Sequence, residues 1–151
     1  MFRGLNNINL DAKGRMAVPS RYREMLLSRY SGRLVATIDT QQKCLLLYPV
    51  DEWDEIQAKL DRLPSFDPHA RRVQRMLIGY ATDLEMDGSG RILLPQVLRN
   101  YAELDKHVAL VGQGKKFEIW SEALWNEQMD VWTQEAGTAG ELSEEMKQLS
   151  L

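Results

Sequence analysis

The sequence predicts an α+β fold made of two similar halves joined by a helical connector. Residues 11–26, DAKGRMAVPSRYREML, return at 87–102 as DGSGRILLPQVLRNYA. Asp11, Gly14, Arg15, Pro19 and Arg23 match Asp87, Gly90, Arg91, Pro95 and Arg99 at a constant offset of 76. Short apolar or alternating runs bounded by turn residues read as strands, and stretches with apolar residues three and four apart read as helices. The expected organisation is a first half over 1–56, a connector over 57–80, a second half over 81–132 and an acidic tail over 133–151.

Leu5 to Leu10 is a short strand running into the Asp11-Ala-Lys-Gly14 turn. Asp at the first position can accept from the turn backbone, and Gly at the fourth can take a positive φ. Arg15 to Val18 then starts a second strand that Pro19 ends, so the local pattern predicts a β-hairpin with its tip at Asp11 to Arg15. Ser20 is expected to cap a helix over 21–30. Leu34 to Asp39 and Cys44 to Tyr48 read as buried strands. Trp53, Ile56, Leu60 and Leu63 mark an amphipathic helix over 51–63. Asp67 as cap and Pro68 at the first position start another, to about Tyr80. The second half replays the first: a strand from Leu84, the Asp87 turn, Ile92 to Pro95, a helix over 96–102, strands at Val108 to Val111 and Lys116 to Trp120, and a helix capped by Ser121. Here the match shifts to an offset of 72, with Trp53 against Trp125. The polar tail 137–151 is expected to fray, although Leu142, Met146 and Leu149 could form one docking stripe.

At 151 residues, 44% hydrophobic and 27% charged, the composition is that of a globular chain with a real core. The longest apolar runs are too short for a bilayer, the N-terminus lacks an apolar signal core, and one cysteine, Cys44, cannot form an internal disulfide. These features predict a cytoplasmic protein. The net charge of −3 argues against nucleic acid, but its distribution does not. Residues 1–35 carry seven cations against two anions, and residues 121–151 one cation against seven anions. An anionic ligand responds to the local field, so the N-terminal end is a candidate anion-binding face, with two ordinary solvated surfaces as the alternative.

No catalytic set emerges. His69 and His107 lie outside any metal-ligand spacing with Cys44, and Gly88-Ser-Gly90 lacks the surroundings of a phosphate loop, so no cofactor, metal or small-molecule substrate is expected. Asp11 and Asp87 could be turn-structuring residues paired with Arg15 and Arg91, or paired carboxylates of an enzyme. The enzyme reading requires a pocket joining them and a raised pKa for one. For the arginines the favoured reading is DNA contact. A two-stranded ribbon with arginine at its shoulder fits a major groove, where Arg bonds bidentately to guanine. Lys13 at the tip, with Arg3 nearby, would reach phosphates. Ser89 replaces Lys13 in the second copy, which makes that turn the weaker reader. Arg71, Arg72 and Arg75 read as a solvated helix face, and the four tryptophans as core or subunit contacts.

MFRG at the start, NLDAKGRMAVPSRYRE at 9–24, CLLLYPVDEWDEI at 44–56 and MDGSGRILLP at 86–95 resemble the MraZ family of bacterial transcriptional regulators. The resemblance implies two tandem SpoVT-AbrB-like swapped-hairpin halves forming a β-barrel with flanking helices, related by a pseudo-two-fold axis. It further implies a ring-like homo-oligomer on double-stranded DNA, binding repeated promoter boxes and repressing its own operon and division and cell-wall genes at the nucleoid. Carried onto this chain, the DNA-binding residues would be Arg3, Lys13, Arg15 and Arg91, with Asp11, Gly14, Asp87 and Gly90 shaping the turns. An antitoxin-like interaction module acting through the C-terminal tail is the alternative.

Overall fold

The computed structural model describes residues 1–136 and 142–150. The first half supplies β1 (Phe2–Asn9), β2 (Arg15–Ala17), α1 (Ser20–Tyr30), β3 (Arg33–Ile38), β4 (Leu45–Pro49), α2 (Val50–Asp61) and α3 (Pro68–Leu77). The second supplies β5 (Thr82–Glu85), β6 (Arg91–Leu93), α4 (Gln96–Tyr101), β7 (His107–Gly114), β8 (Phe117–Ser121) and α5 (Glu122–Ala136), followed by the short α6 (Glu144–Lys147). No helix among the described residues is long and apolar enough to cross a membrane.

The α+β class and the two related halves are borne out, but the local hairpin is not. β1 and β2 leave the Asp11 turn for different sheets. β1 pairs antiparallel with β7 over eight residues, from Phe2 opposite Gly114 to Asn9 opposite His107. β2 pairs with β6, Met16 facing Ile92. The six-stranded sheet runs β1-β7-β8-β4-β3-β5, and β2-β6 forms a separate ribbon. A pseudo-two-fold between β8 and β4 relates β1 to β5, β7 to β3, and β2 to β6. The swap follows from length: β2 has three residues to pair, whereas β7 offers β1 a full-length partner. That pairing also extends β1 back to Phe2, through Gly4, Asn6 and Asn7, which have little strand propensity of their own.

Alternation places the core. Leu34, Ala36 and Ile38 of β3, Leu45 and Leu47 of β4, Val108 and Leu110 of β7, and Phe117 and Ile119 of β8 face inward. Met16 and Ile92 on the underside of the ribbon close over them, both fully buried, together with Leu26 of α1 and Leu98 of α4. Each such side chain contributes about 1.5–3 kcal/mol by leaving water. The outer sheet face is covered unequally. Over the first half, α2 and α3 pack Trp53, Leu60, Val73 and Leu77 on Val35, Leu46 and Tyr48. Over the second, among the described residues, α5 alone brings Leu124, Trp125 and Trp132 to Ala109 and Trp120.

Three helices follow a proline that turns the chain out of a strand: Pro19 before α1, Pro49 before α2 and Pro95 before α4, with φ of −53°, −57° and −60°. Ser20 is therefore not the cap of α1; Pro19 holds that position and makes no side-chain cap bond. Asp67 caps α3 as expected, accepting from the His69 amide at 2.9 Å, and Ser121 Oγ accepts from Leu124 N at 3.4 Å. The fraying expected over 137–151 falls partly on 137–141 and 151, outside the described residues.

Because β1 and β2 both find their partners in the other half, residues 1–76 alone should not fold as a monomer. They should be unfolded, or exchange strands into a homodimer, and co-expressed 77–151 should convert them to a one-to-one complex. Circular dichroism with size-exclusion chromatography checks this; a cooperatively folded monomeric 1–76 would contradict it.

Candidate nucleic-acid interface

Each duplicated turn is organised by its aspartate. Asp11 Oδ1 accepts from the backbone amides of Lys13 at 2.9 Å and Arg15 at 2.8 Å, and Oδ2 accepts from Arg15 Nε at 2.7 Å. Gly14 N donates to Asp11 O at 3.0 Å, closing the turn, and Gly14 has φ of +89°. The second turn repeats this. Asp87 Oδ1 accepts from Ser89 N and Arg91 N, both at 2.9 Å, Oδ2 accepts from Arg91 Nε at 3.2 Å, and Gly90 has φ of +75°. The Arg15 amide bond, with lesser help from its guanidinium and the Lys13 amide, holds the Asp11 carboxyl at about 2. The Arg91 amide likewise lowers the Asp87 carboxyl.

The turns use only the Nε of each arginine, so among the described residues both terminal nitrogens of Arg15 and Arg91 lack an intrachain hydrogen bond. The ribbon then sets their spacing. Arg15 lies opposite Leu93 and Arg91 opposite Ala17, so the two arginines are diagonal neighbours on the ribbon's outer face, about 7–8 Å apart at the backbone. Lys13 is exposed at one end of this face, and Ser89 takes its place at the other. The structure thus gathers Lys13, Arg15 and Arg91 on one surface.

Arg3 is not part of this gathering. It pairs with Gln113 at the far end of β1, six positions before Asn9, and about 3.3 Å per residue separates it from the Asp11 turn by some 20 Å. The backbone of Arg3 instead meets α1, its carbonyl accepting from the Tyr22 hydroxyl at 2.5 Å.

Two arginines whose place the sequence leaves open complete the site. Arg23 of α1 donates through Nε to Val18 O at 2.6 Å, and Arg99 of α4 donates through Nε to Leu94 O at 2.9 Å. Their guanidinium groups lie across the halves: Arg99 over Gly14, and Arg23 over Gly90. A Cβ on Gly14 would sit 2.5 Å from Arg99 Nε, and one on Gly90 would sit 2.4 Å from Arg23 Nε. The last residue of the repeated motif D-x-x-G-R-x-x-x-P-x-x-x-R therefore packs on the glycine of the other copy. The constant Gly-to-Arg spacing in both copies is the signal for this contact.

The enzyme reading finds no support in this geometry. Both carboxyls are lowered rather than raised, and the cleft beside Asp11, lined by Leu10, Ala12, Leu104, Asp105 and Lys106, does not reach Asp87. Away from the ribbon, Asp39, Cys44 and Glu118 bring potential metal-ligating atoms within 4.8 Å of one another, a grouping that residue spacing does not reveal. Burial pushes the Cys44 thiol well above its usual range, and the protonated thiol lies 3.5 Å from Asp39 Oδ2 as donor. Glu118 accepts from Trp120 Nε1 at 2.9 Å.

The family model described as "MraZ protein, putative antitoxin-like" matches this chain twice, over residues 1–76 and 77–145. The chain belongs to the MraZ family. Full-length relatives named "Transcriptional regulator MraZ" are 56% identical in Pseudoalteromonas atlantica, 54% in Halorhodospira halophila and 53% in Legionella pneumophila, each alignment covering all of both chains. The two MraZ matches divide the chain inside α3, in agreement with the pseudo-two-fold relation of the strands.

Gly14→Ala should cost about 1–3 kcal/mol, because it combines a positive φ with collision against Arg99. Adding Arg99→Ala should relieve the collision and leave the φ strain, so the double variant should melt higher than the sum of the two losses predicts. Strict additivity in a thermal-melt cycle would show that Arg99 does not press on the turn. The acid limb offers a second check. A carboxyl lowered from 3.8 to about 2 on folding contributes stability that is complete above pH 4 and is lost as pH falls through 2. Asp11→Asn should therefore flatten the stability profile between about pH 4 and pH 2, measured by urea titration at each pH.

Proposed function

We propose that this chain is a sequence-specific DNA-binding transcriptional regulator that reads duplex DNA with the outer face of the β2–β6 ribbon. The observation that carries the reading is the pair of aspartate-braced arginines, Arg15 and Arg91, held as diagonal neighbours on that ribbon beside the exposed Lys13. A two-stranded ribbon has the width of a major groove, and arginines with free terminal nitrogens can bond bidentately to guanine O6 and N7. Lys13 and Arg23 are suited to phosphates. Arg3 lies too far from the ribbon to share that contact. Names of full-length relatives support regulation of transcription.

The finer reading, drawn from family resemblance, is repression of its own operon and of division and cell-wall genes from repeated promoter boxes, by a ring-shaped oligomer in the cytoplasm at the nucleoid. One ribbon makes few base contacts, so a single box binds weakly. Successive boxes engaged by one assembly bind tightly, because each further contact is effectively intramolecular.

Fluorescence anisotropy on DNA from upstream of the protein's own gene, against a shuffled control, tests the reading. Arg15→Ala should lose about 1–3 kcal/mol of preference for the promoter while remaining folded. Lys13→Ala should weaken both DNAs alike and reduce the slope of log affinity against log salt by about 1. Equal binding of both DNAs by the wild type, or full retention of preference by Arg15→Ala, would reject the ribbon as the reader. Absence of promoter preference in the wild type, together with binding of a second protein that deletion of the C-terminal tail abolishes, would instead favour the antitoxin-like reading.

A further inference from the structure

We propose that the C-terminal segment 142–150 of one copy docks on the basic corner between α2 and α3 of a second copy, and that this contact joins subunits head to tail. The inference rests on the assembly part of the proposed function and names its joint.

The acceptor is a surface with no partner among the described residues. Phe66, in the link between α2 and α3, is 88% exposed, and Leu63 beside it is exposed as well. Around them Arg62, Arg71, Arg72 and Arg75 are exposed and make no ion pair among the described residues. On α3 these arginines lie opposite the face that packs Val73 and Leu77 on the sheet. Residues 57–80 carry five cations against two anions.

The donor has the complementary character. Leu142, Met146 and Leu149 are all about half exposed, Met146 on α6 and the two leucines just before and after it. Ser143 Oγ accepts from Met146 N at 3.2 Å and nucleates the single turn α6, with Glu144 and Glu145 at its start. Every residue from 142 to 150 is exposed. Residues 133–151 carry four anions against one cation.

The two halves end differently. Ser143 caps α6 with its side chain as Asp67 caps α3. In the first half α3 rests over Leu46 and Ile56. At the offset of 72 these positions become Glu118 and Gln128, and α5 itself covers the apolar surface beside them with Leu124, Trp125 and Trp132. The α2–α3 corner supplies apolar side chains ringed by the opposite charge. Donor and acceptor are different surfaces, so each copy can give one contact and receive another, which generates a closed ring or an open filament.

Disulfide trapping without DNA tests the joint. A Phe66→Cys chain is mixed with a Met146→Cys chain, both retaining the buried Cys44, and oxidised. Mixed-disulfide dimers should form, well above the yield with a Ser28→Cys partner; a yield no higher than that control overturns the proposal. Mass photometry of full-length charge variants gives an independent readout. Arg71→Glu with Arg72→Glu, or Glu144→Arg with Glu145→Arg, should raise the dissociation concentration about tenfold or more, and combining the two sets should restore assembly. Absence of that rescue counts against the joint. A wild type that is monomeric at every concentration removes both the assembly and its joint. A wild type that assembles equally well without residues 142–151 removes the joint alone.

Discussion

The pairing of β2 with β6 is the constraint on which the rest of the architecture depends. It is only three residues long, yet it draws one strand from each half to the centre. Once Met16 and Ile92 meet beneath the ribbon, β1 and β5 cannot fold back on β2 and β6 and must run to the edges of the large sheet. There they pair with β7 and β3 of the opposite halves. The consequence is one shared core, in which the inward residues of β3, β4, β7 and β8 form a single cluster with Met16 and Ile92. It also fixes the two turns at opposite ends of one exposed face.

The motif residues divide their work around that pairing. The aspartates satisfy turn amides and hold the arginine Nε, which removes much of the rotamer freedom of a side chain that would otherwise lose it on meeting a ligand. The glycines supply a backbone conformation that a β-carbon would strain, and they also make room for an arginine from the other half. Arg23 and Arg99 tie helix to strand within their own half through Val18 O and Leu94 O, while their guanidinium groups cover the opposite turn. Pre-organisation of the ribbon is thus shared between the halves.

Much of this was legible in the residues and some could not be. Short apolar runs identified β3, β4 and β7, alternation identified β8, and the Asp67-Pro68 pair located the start of α3, because these are local properties of spacing and capping. The Asp11 turn was legible in the aspartate that accepts from its backbone and in the positive φ of Gly14. The partner of β1 was not: a turn reports where the chain bends, not where it goes afterwards, and strand exchange is decided by contacts a hundred residues apart. The same limit separates Arg3 from the site. It is near Lys13 in sequence, yet an extended strand carries it some 20 Å away. Conversely Arg23 and Arg99 entered the site because their helices cross over the other copy's turn, and only the repeated spacing hinted at it. Family resemblance anticipated the exchange that local reading missed.

A single chain with two unequal copies has a property that a homodimer of identical halves lacks. Identical halves related by a true two-fold present identical turns and match a palindromic site. Fusion lets the copies drift apart while the core still demands that they pair. Here the inner positions are apolar in both halves, whereas the tip residue is Lys13 in one and Ser89 in the other, and among the described residues α3 has no full counterpart after α5. Drift has therefore spared what the ribbon needs in order to form and altered what faces outward. In the proposed function, a ribbon with one cationic tip and one neutral tip has a direction on the duplex, as it must if it reads boxes repeated in the same orientation. A heterologous joint between copies carries a direction as well. Tandem repeats of one polarity and subunits joined head to tail share the same kind of symmetry, a repeated translation or rotation without a two-fold, and the asymmetry between the halves is what permits both.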